Sequence, residues 1–449
     1  MGSANIRIFS RNGKKQRGIF IFVEILEKLR EFDLIVAGGG AAGIMAAGVA
    51  AAAGKRVLVC EKMEKPQRKV RISGKGRCNL TNMRDEREFL AKVRSSADFL
   101  RPALQRFSNR DTVAFFERIG VPLTVERGER VFPSSGRAWD IADAHIRWCK
   151  SRGAEIACHT RIAQLHTRDG RICGATIVTR DAQPERIGAR NVLIATGGVS
   201  YPATGSTGDG YTLAHALGHS IVGLRPSLTP LESDLPCLRP LRSLGLRNIS
   251  AALLVDGRQE ASEFGEMEFT PYLAGPVVLR LSRMAVDALI DGHRVELALD
   301  LKPALTIQTL TARIARERDA LAPKAPVRDL LRKLLPGPMV RPAATVMRIN
   351  EAGPVTGFGE ADSSRLARLL KDFRIPVSDY RPFEEAIVTA GGVATAEVDP
   401  LSMQSRLVGG LYFAGEVLDI DADTGGFNLQ IAYSTGHLAG QMLPLTPTR

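Results

Sequence analysis

The chain has 449 residues, and at about 150 residues per domain this predicts two or three domains. With 44 % apolar and 24 % charged residues it is not a largely disordered chain, and it is long enough to bury a sizeable core. The formal charge of +13 rests on 47 Arg and 14 Lys scattered without any nucleic-acid recognition motif, which favours acidic small molecules over nucleic acid as partners.

Residues 1–31 read as an N-terminal extension. They hold a mild basic cluster (Arg7, Arg11, Lys14, Lys15, Arg17) and then an apolar run at 18–23, which Glu24, Glu27, Lys28 and Arg30 interrupt. No small-residue cleavage site follows, and nowhere are there the roughly 20 consecutive apolar residues that a membrane-spanning helix needs. No membrane association and a cytoplasmic location are expected. Cys60, Cys78, Cys149, Cys158, Cys173 and Cys237 form no CxxC pair and no zinc spacing with histidine, so reduced thiols and no bound metal are expected.

The short apolar run 32–37, closed by glycines, predicts a buried strand. Residues 41–53 form an alanine-rich helix stopped by Gly54, and 56–60 form a second strand, completing a βαβ unit. After a glycine-rich basic loop at 62–82, helices are predicted over 112–119 and 138–150. Asp169-Gly170 between 160–165 and 171–179 signals a hairpin, and 191–195 is a buried strand running into Thr196-Gly197-Gly198. Beyond residue 222 prolines become frequent, and short strands (252–255, 295–301) alternate with helices (276–290, 307–320). From 384 the glycine-rich, strand-to-helix style returns, with strands over 386–389 and 411–414 and a helix over 428–442. A discontinuous nucleotide-binding domain is therefore expected from 32–221 and 384–449, with an α+β domain inserted over 222–383.

Gly38, Gly40 and Gly43 fit G-x-G-x-x-G. Gly38 permits the tight strand-to-helix turn, Gly40 lets a pyrophosphate approach the backbone, and Gly43 lets the helix pack on the strand. The unpaired N–H groups of the helix start, at Ala41 and Ala42, hold phosphate with the help of the helix dipole. Glu61 ends the next strand, 18 residues after Gly43, where a carboxylate accepts from ribose hydroxyls and repels a 2′-phosphate; Lys62 follows it. A purely structural glycine turn would not need that carboxylate.

Other segments choose between nicotinamide and flavin dinucleotides. Ile162, entering the hairpin, lends backbone groups to an adenine edge, and Thr196-Gly197-Gly198 brings bare backbone beside a cofactor. Near the C-terminus, Gly415-Glu416 ends a strand, and Asp423, Gly425, Gly426, Asn428 and Leu429 open a helix. Its positive end stabilises negative charge on a reduced flavin's pyrimidine ring, and an enzyme using only NAD has no need of it. FAD is the expected cofactor, with NADH or NADPH as a transient reductant.

The run Arg68-Lys69-Val70-Arg71-Ile72-Ser73-Gly74-Lys75-Gly76-Arg77-Cys78-Asn79-Leu80-Thr81-Asn82 resembles the signature loop of the BaiN-type bacterial flavoproteins, also described as aminoacetone-oxidase-type FAD-binding enzymes. The resemblance continues through Thr204 to Tyr211, Pro226 to Leu231, Thr389 to Val393 and Gly415 to Gln430, and so covers about 32–441. It implies a Rossmann-like FAD domain of the GR2 type, interrupted by a β-barrel-like α+β insert. It also implies reduction of activated double bonds in enones on one branch and amine oxidation on another. Lys75 stands where the family has the middle glycine of its loop, so a left-handed backbone there would be strained. The insert motif reads Thr270-Pro271-Tyr272-Leu273-Ala274-Gly275-Pro276, a second departure.

Among the candidates, Lys69 and Arg77 are the preferred functional cations, for pyrophosphate or an acidic substrate. Cys78 and Asn79 line the cofactor, Cys78 being structural rather than redox-active because no resolving cysteine is near in sequence. Tyr201 and Tyr211 are candidate proton donors against a core-packing alternative, and His215 with His219 is a helical pair without a third ligand. Three functions compete. They are hydride transfer among reduced pyridine nucleotide, flavin and a small enone-type substrate; an amine oxidase producing peroxide; and an RNA-modifying flavoprotein.

Overall fold

The computed structural model describes residues 30–442 except residue 181, so most of the expected N-terminal extension and residues 443–449 lie outside the described residues. The first predicted strand spans Glu31–Ala37, one residue longer than expected, because Gly188 N–H donates to the Arg30 carbonyl at 2.9 Å and draws Glu31 into the ladder. It pairs in parallel with Val57–Cys60 on one side and Glu185–Ile194 on the other. A strand covered on both faces is nearly continuously apolar, as Leu34 to Ala37 are here, which is why this run was legible.

Glu155–Ala157 extends the sheet beyond Val57–Cys60. The second half of Glu185–Ile194 pairs in parallel with Leu411–Phe413, so a strand from the far end of the chain completes the seven-stranded sheet. Its first half pairs antiparallel with Arg171–Thr179, which forms a hairpin with Thr160–Arg168. The turn residues Asp169 (φ 50) and Gly170 (φ 70) are both left-handed, as a type I′ turn requires.

Helix Ala41–Ala52 packs on the C-terminal helix Phe427–Gly440. The contact is backbone to backbone: a Cβ on Gly436 would stand 2.5 Å from the Ala42 carbonyl, and one on Gly440 would stand 2.6 Å from that of Ala46. Glycines four apart share one helix face. One apolar cluster accordingly mixes both chain ends, with Ile35, Val59 and Leu193 beside Phe413 and Leu438.

A second apolar cluster draws only on residues 231–377. Here Phe373–Val377 pairs with Val295–Asp300, and just beyond Ser378 the pair Asp379–Tyr380 bonds to Leu231–Glu232. From there the ladder runs through Leu273–Ala274, Arg258–Phe269 and Leu244–Val255 back to Val295–Asp300. One continuous segment therefore closes the sheet into a barrel, with edges paired rather than exposed. Helix Pro276–Ile290 has the predicted bounds, and Ile307–Asp319, Val327–Leu334, Val340–Met347 and Glu360–Lys371 accompany it. The antiparallel ribbon of Ile221–Ser227 with Val388–Val393 connects the two parts. The strand predicted at 386–389 is displaced to this ribbon, because its bonding partner is the segment that leaves the first domain. No helix among the described residues is long and apolar enough to cross a membrane.

Candidate active site

The glycines of the first turn differ in what surrounds them. Gly38 has φ +100, and a Cβ there would lie 2.6 Å from the Ala195 carbonyl; a Cβ on Gly43 would lie 2.0 Å from the Gly38 carbonyl. These two are steric necessities. A Cβ on Gly40 would meet nothing within 4 Å, so its side of the turn is open. No side chain caps the helix, and its first internal bond is Ile44 N–H to the Gly40 carbonyl (3.0 Å), which leaves the N–H groups of Ala41, Ala42 and Gly43 to an outside acceptor. The C-terminal helix starts the same way, uncapped at Gly426 (φ 99), with Gln430 N–H making the first bond.

Both helix starts open on one cleft of about 1100 Å3. It brings together Gly38, Gly40, Ala41, Ala42, Glu61, Lys62, Lys69, Arg77, Asn79, Ile162, Thr196, Gly197, Gly415, Glu416, Asp423, Gly425, Gly426, Asn428 and Leu429. Three sequence candidates stand behind its wall. Gly43 is taken up by the helix-to-strand contact, and Gly198 by Thr389, whose Oγ1 would lie 2.3 Å from an added Cβ. Cys78 is fully buried among Val70, Leu80, Phe116 and Tyr433, where burial pushes its thiol up to about 12 and leaves it inert.

The Glu61 carboxylate accepts from Gly39 N–H (2.9 Å) and Met63 N–H (2.8 Å), so it builds the turn as well as facing the cleft. Burial pushes its carboxyl above the usual range, opposed by those two bonds and by Lys62 and Arg68. Lys62 pairs with Asp209 at 2.8 Å and also bonds Thr207. Burial of Asp209 is outweighed by the Lys62 and Thr207 bonds, which hold its carboxyl below the usual range. Asp209 is the first residue of helix Asp209–His215 but makes no cap; its side chain serves Lys62 instead.

Glu416 is a hub. Its carboxylate accepts from Lys69 (2.8 and 3.0 Å), Ser200 Oγ (2.7 Å) and Thr389 N–H (2.9 Å). Thr389 Oγ1 in turn accepts from the N–H groups of Val199 (2.9 Å) and Ser200 (3.0 Å). Three distant segments are fixed at one point beside the cleft.

The signature loop is bent by consecutive left-handed residues, Gly74 (φ 57) and Lys75 (φ 57), so Lys75 does occupy the strained backbone that its departure from the family pattern implied. Arg77 is committed to Glu126 and lies 4.4 Å over the Phe132 ring, at the wall rather than deep in the cleft. The Asn79 Oδ1 is buried without a hydrogen-bond partner. Asn82 Nδ2 ties the loop to the C-terminal helix start by donating to the Gly425 carbonyl (3.0 Å). Asp423 is buried and held by Arg94 (2.6 Å) and Lys92 (3.3 Å). The Asn428 amide bonds back to Ala422 in both directions (3.0 and 2.9 Å), so it shapes the loop instead of offering its side chain to a ligand.

The proposed histidine pair does not form. The helix ends at His215, and the buried His219 bonds Glu397 (3.0 Å) and Ser405 (2.8 Å). Sequence reading missed Gln67, Asn82, Ser200 and Arg130 as parts of this site or its support. Ser200 and Glu416 lie 216 residues apart, and no local signal links them. The positive φ of Gln67 (59) is likewise invisible in a non-glycine residue.

The model of the HI0933-like protein Rossmann domain matches residues 32–442, and the chain belongs to that family. It is 30% identical over 411 residues to 3-dehydro-bile acid delta(4,6)-reductase of Clostridium scindens, covering 90% of this chain and 97% of the relative. It is 28% identical over 416 residues to ribosomal RNA dihydrouridine synthase of Escherichia coli, covering 92% and 98%. The solved structure of 3-ketosteroid-delta4-(5alpha)-dehydrogenase from Rhodococcus jostii RHA1 shares the fold, with TM-score 0.51 at 15% identity over 93% of this chain and 97% of that one. The chain is an FAD-dependent oxidoreductase with a Rossmann-like α/β fold and an additional sheet domain.

Proposed function

We propose that this member of the HI0933-like family takes hydride from NADH or NADPH and delivers it, through FAD, to a carbon–carbon double bond conjugated with a carbonyl. The observation that carries this is the single cleft. At about 1100 Å3 it exceeds the roughly 300–1,000 Å3 of a pocket for one small ligand. It runs between two uncapped helix starts and a wall from the barrel insert that includes Leu228, Pro230, Pro276 and Leu279. The names of two relatives, a bile acid reductase and a dihydrouridine synthase, both describe saturation of a ring double bond.

The residues present suit FAD, which supplies reversible two-electron storage and hydride transfer when bound. The open side of Gly40 and the free N–H groups of Ala41 and Ala42 receive the pyrophosphate. Glu61 and the Ile162 backbone serve the adenosine end, while Lys69 and Glu416 meet the ribityl chain. Asn79 Oδ1 accepts from a cofactor N–H, and the N–H groups of Asn428 and Leu429 stabilise negative charge on the reduced ring. On this reading 32–221 with 384–449 forms the FAD domain and 222–383 the substrate-side domain, in a cytoplasm that keeps the six thiols reduced.

A second reading keeps the chemistry and changes the substrate to a uridine in RNA. Arg77 (4.4 Å) and Arg130 (5.7 Å) flank Phe132 on the cleft wall, and Arg130 Nε donates to the Arg127 carbonyl (3.0 Å). Such a group suits stacking on a base next to phosphate. The test is anaerobic stopped flow with NADH and NADPH. Bleaching of the flavin followed by reoxidation with an enone supports the first reading. Steeply salt-dependent ribosomal RNA binding with uridine reduction supports the second. If neither nucleotide reduces the flavin while an amine drives oxygen consumption, both fail in favour of an oxidase.

A further inference from the structure

Two tyrosines were candidate proton donors, and the fold gives them different surroundings. Tyr211 is buried, with its hydroxyl 3.5 Å from the Glu416 carbonyl oxygen, and it does not line the cleft. Tyr201 does line the cleft, and its hydroxyl has no hydrogen-bond partner among the described residues. Its backbone is left-handed (φ 50, ψ 60), a conformation disfavoured for an aromatic residue. Tyr201 N–H donates to the Phe383 carbonyl (3.0 Å), and Thr204 donates to the Tyr201 carbonyl from both its N–H (2.8 Å) and its hydroxyl (2.7 Å). Strain held this firmly at a cleft marks a side chain whose direction is being imposed.

The phenol also stands where the two domains meet. Phe383 is the last residue of the insert, and Glu385 and Ile387, just beyond it, line the same cleft as the insert residues Leu228 and Pro230. The competing donors are occupied. Lys62 is paired with Asp209, Lys69 with Glu416, Lys92 with Asp423, and Arg280 with Glu263, while the Lys75 side chain is 91% exposed. Arg130 and Arg161 also line the cleft, but a guanidinium does not readily release a proton. Burial and the neighbouring Glu385 push the Tyr201 phenol up, which keeps it protonated at neutral pH.

We propose that Tyr201 is the proton donor of the reduction, a proposal that rests on the double-bond reading above. As hydride from the reduced cofactor forms the C–H bond at the β-carbon, the π pair of the double bond takes the phenolic proton at the α-carbon. The phenolate left behind recovers a proton from water, so one hydride and one proton saturate one double bond.

The test uses the FAD-loaded enzyme and Tyr201→Phe, which removes one oxygen and keeps the ring. The flavin is photoreduced anaerobically, so no pyridine nucleotide is needed, and mixed with 2-cyclohexen-1-one, androst-4-ene-3,17-dione or uridine monophosphate, and separately with ferricyanide. Tyr201→Phe should keep the ferricyanide rate and the affinity of the oxidised enzyme for androst-4-ene-3,17-dione, read from the flavin spectrum. It should lose about 100-fold or more in reoxidation by whichever alkene the parent accepts, the span of general acid catalysis. An unchanged alkene rate overturns the proposal. If the parent reacts with ferricyanide and with none of the alkenes, the double-bond reading falls, and the proposal falls with it.

Discussion

Lys75 lies between Gly74 and Gly76 with φ 57 and ψ 39. Its ammonium is 3.9 Å from Glu268 and its side chain is 91% exposed, so that pair contributes little. A left-handed L-residue costs roughly 1–2 kcal/mol relative to glycine. Against that relief stands the extra freedom of glycine in the unfolded chain, about 0.4–1 kcal/mol. Lys75→Gly should therefore stabilise the fold by ~0.5–1 kcal/mol. Lys75→Ala keeps the strain and should change stability by less than ~0.5 kcal/mol. Lys75→Val adds a β-branch to the same backbone and should cost ~1 kcal/mol or more. Urea unfolding of the flavin-free protein, followed by far-ultraviolet circular dichroism, gives the midpoints. The order should be Gly, then Lys with Ala, then Val. A Gly variant less stable than the parent, or a Val variant equal to it, refutes strain at this position.

The other predictions concern the hub, the helix contact and a buried histidine. Glu416→Gln leaves the Lys69 ammonium without its carboxylate, a loss of ~1.5–3 kcal/mol for a charge-assisted bond, and should weaken FAD binding about tenfold or more by calorimetry; an affinity within twofold of the parent contradicts the hub. Gly436→Val places its Cβ 2.5 Å from the Ala42 carbonyl and should destabilise by ~1–3 kcal/mol or more in urea, whereas Gly337→Ala, where an added Cβ meets nothing within 4 Å, should not. His145 is fully buried, and burial pushes its pKa down to about 3 from 6.5. The unfolded chain gains a proton below 6.5 and the folded chain does not, so the full stability present above pH 6.5 declines as the pH falls toward 3. His145→Gln should remove ~2 kcal/mol of that decline by pH 5, from about 1.4 kcal/mol per pH unit; an unchanged acid limb in the variant rules this out.

What could be read from the sequence was what is encoded locally. The run 34–37 is apolar throughout because both of its faces are covered, and Gly38 and Gly43 are obligatory because carbonyls stand within 2.6 Å of any added Cβ. Helix Pro276–Ile290 announced itself by a proline at its first position and a long amphipathic run. Helix Ala97–Arg106 was not legible, since Pro102 lies inside it and no side chain caps its start. Barrel closure depends on Asp379–Tyr380 meeting Leu231–Glu232, two-residue strands too short to carry a period. In the site, residue types were readable but their obligations were not. Glu61 and Asn428 looked free for a ligand, yet both spend bonding capacity on neighbouring backbone.

The glycine contact between helices Ala41–Ala52 and Phe427–Gly440 also explains why two segments far apart in sequence present two helix starts to one cleft. Gly436 faces Ala42 and Gly440 faces Ala46, so the helices run parallel. The contact falls one residue into the first helix, which starts at Ala41, and nine residues into the second, which starts at Phe427. The difference of eight residues offsets the two starts by ~12 Å along the axis, at about 1.5 Å per residue. On the function proposed above, the first start takes the pyrophosphate and the second takes the flavin's pyrimidine ring, and these groups lie at separate points along one extended dinucleotide. The C-terminal strand Leu411–Phe413 fixes the lateral position through its parallel ladder to Glu185–Ile194, and the two glycines fix the axial one. A bulkier residue at 436 or 440 would push the second start away from the first, which ties the stability of the helix contact to the spacing on which cofactor binding depends.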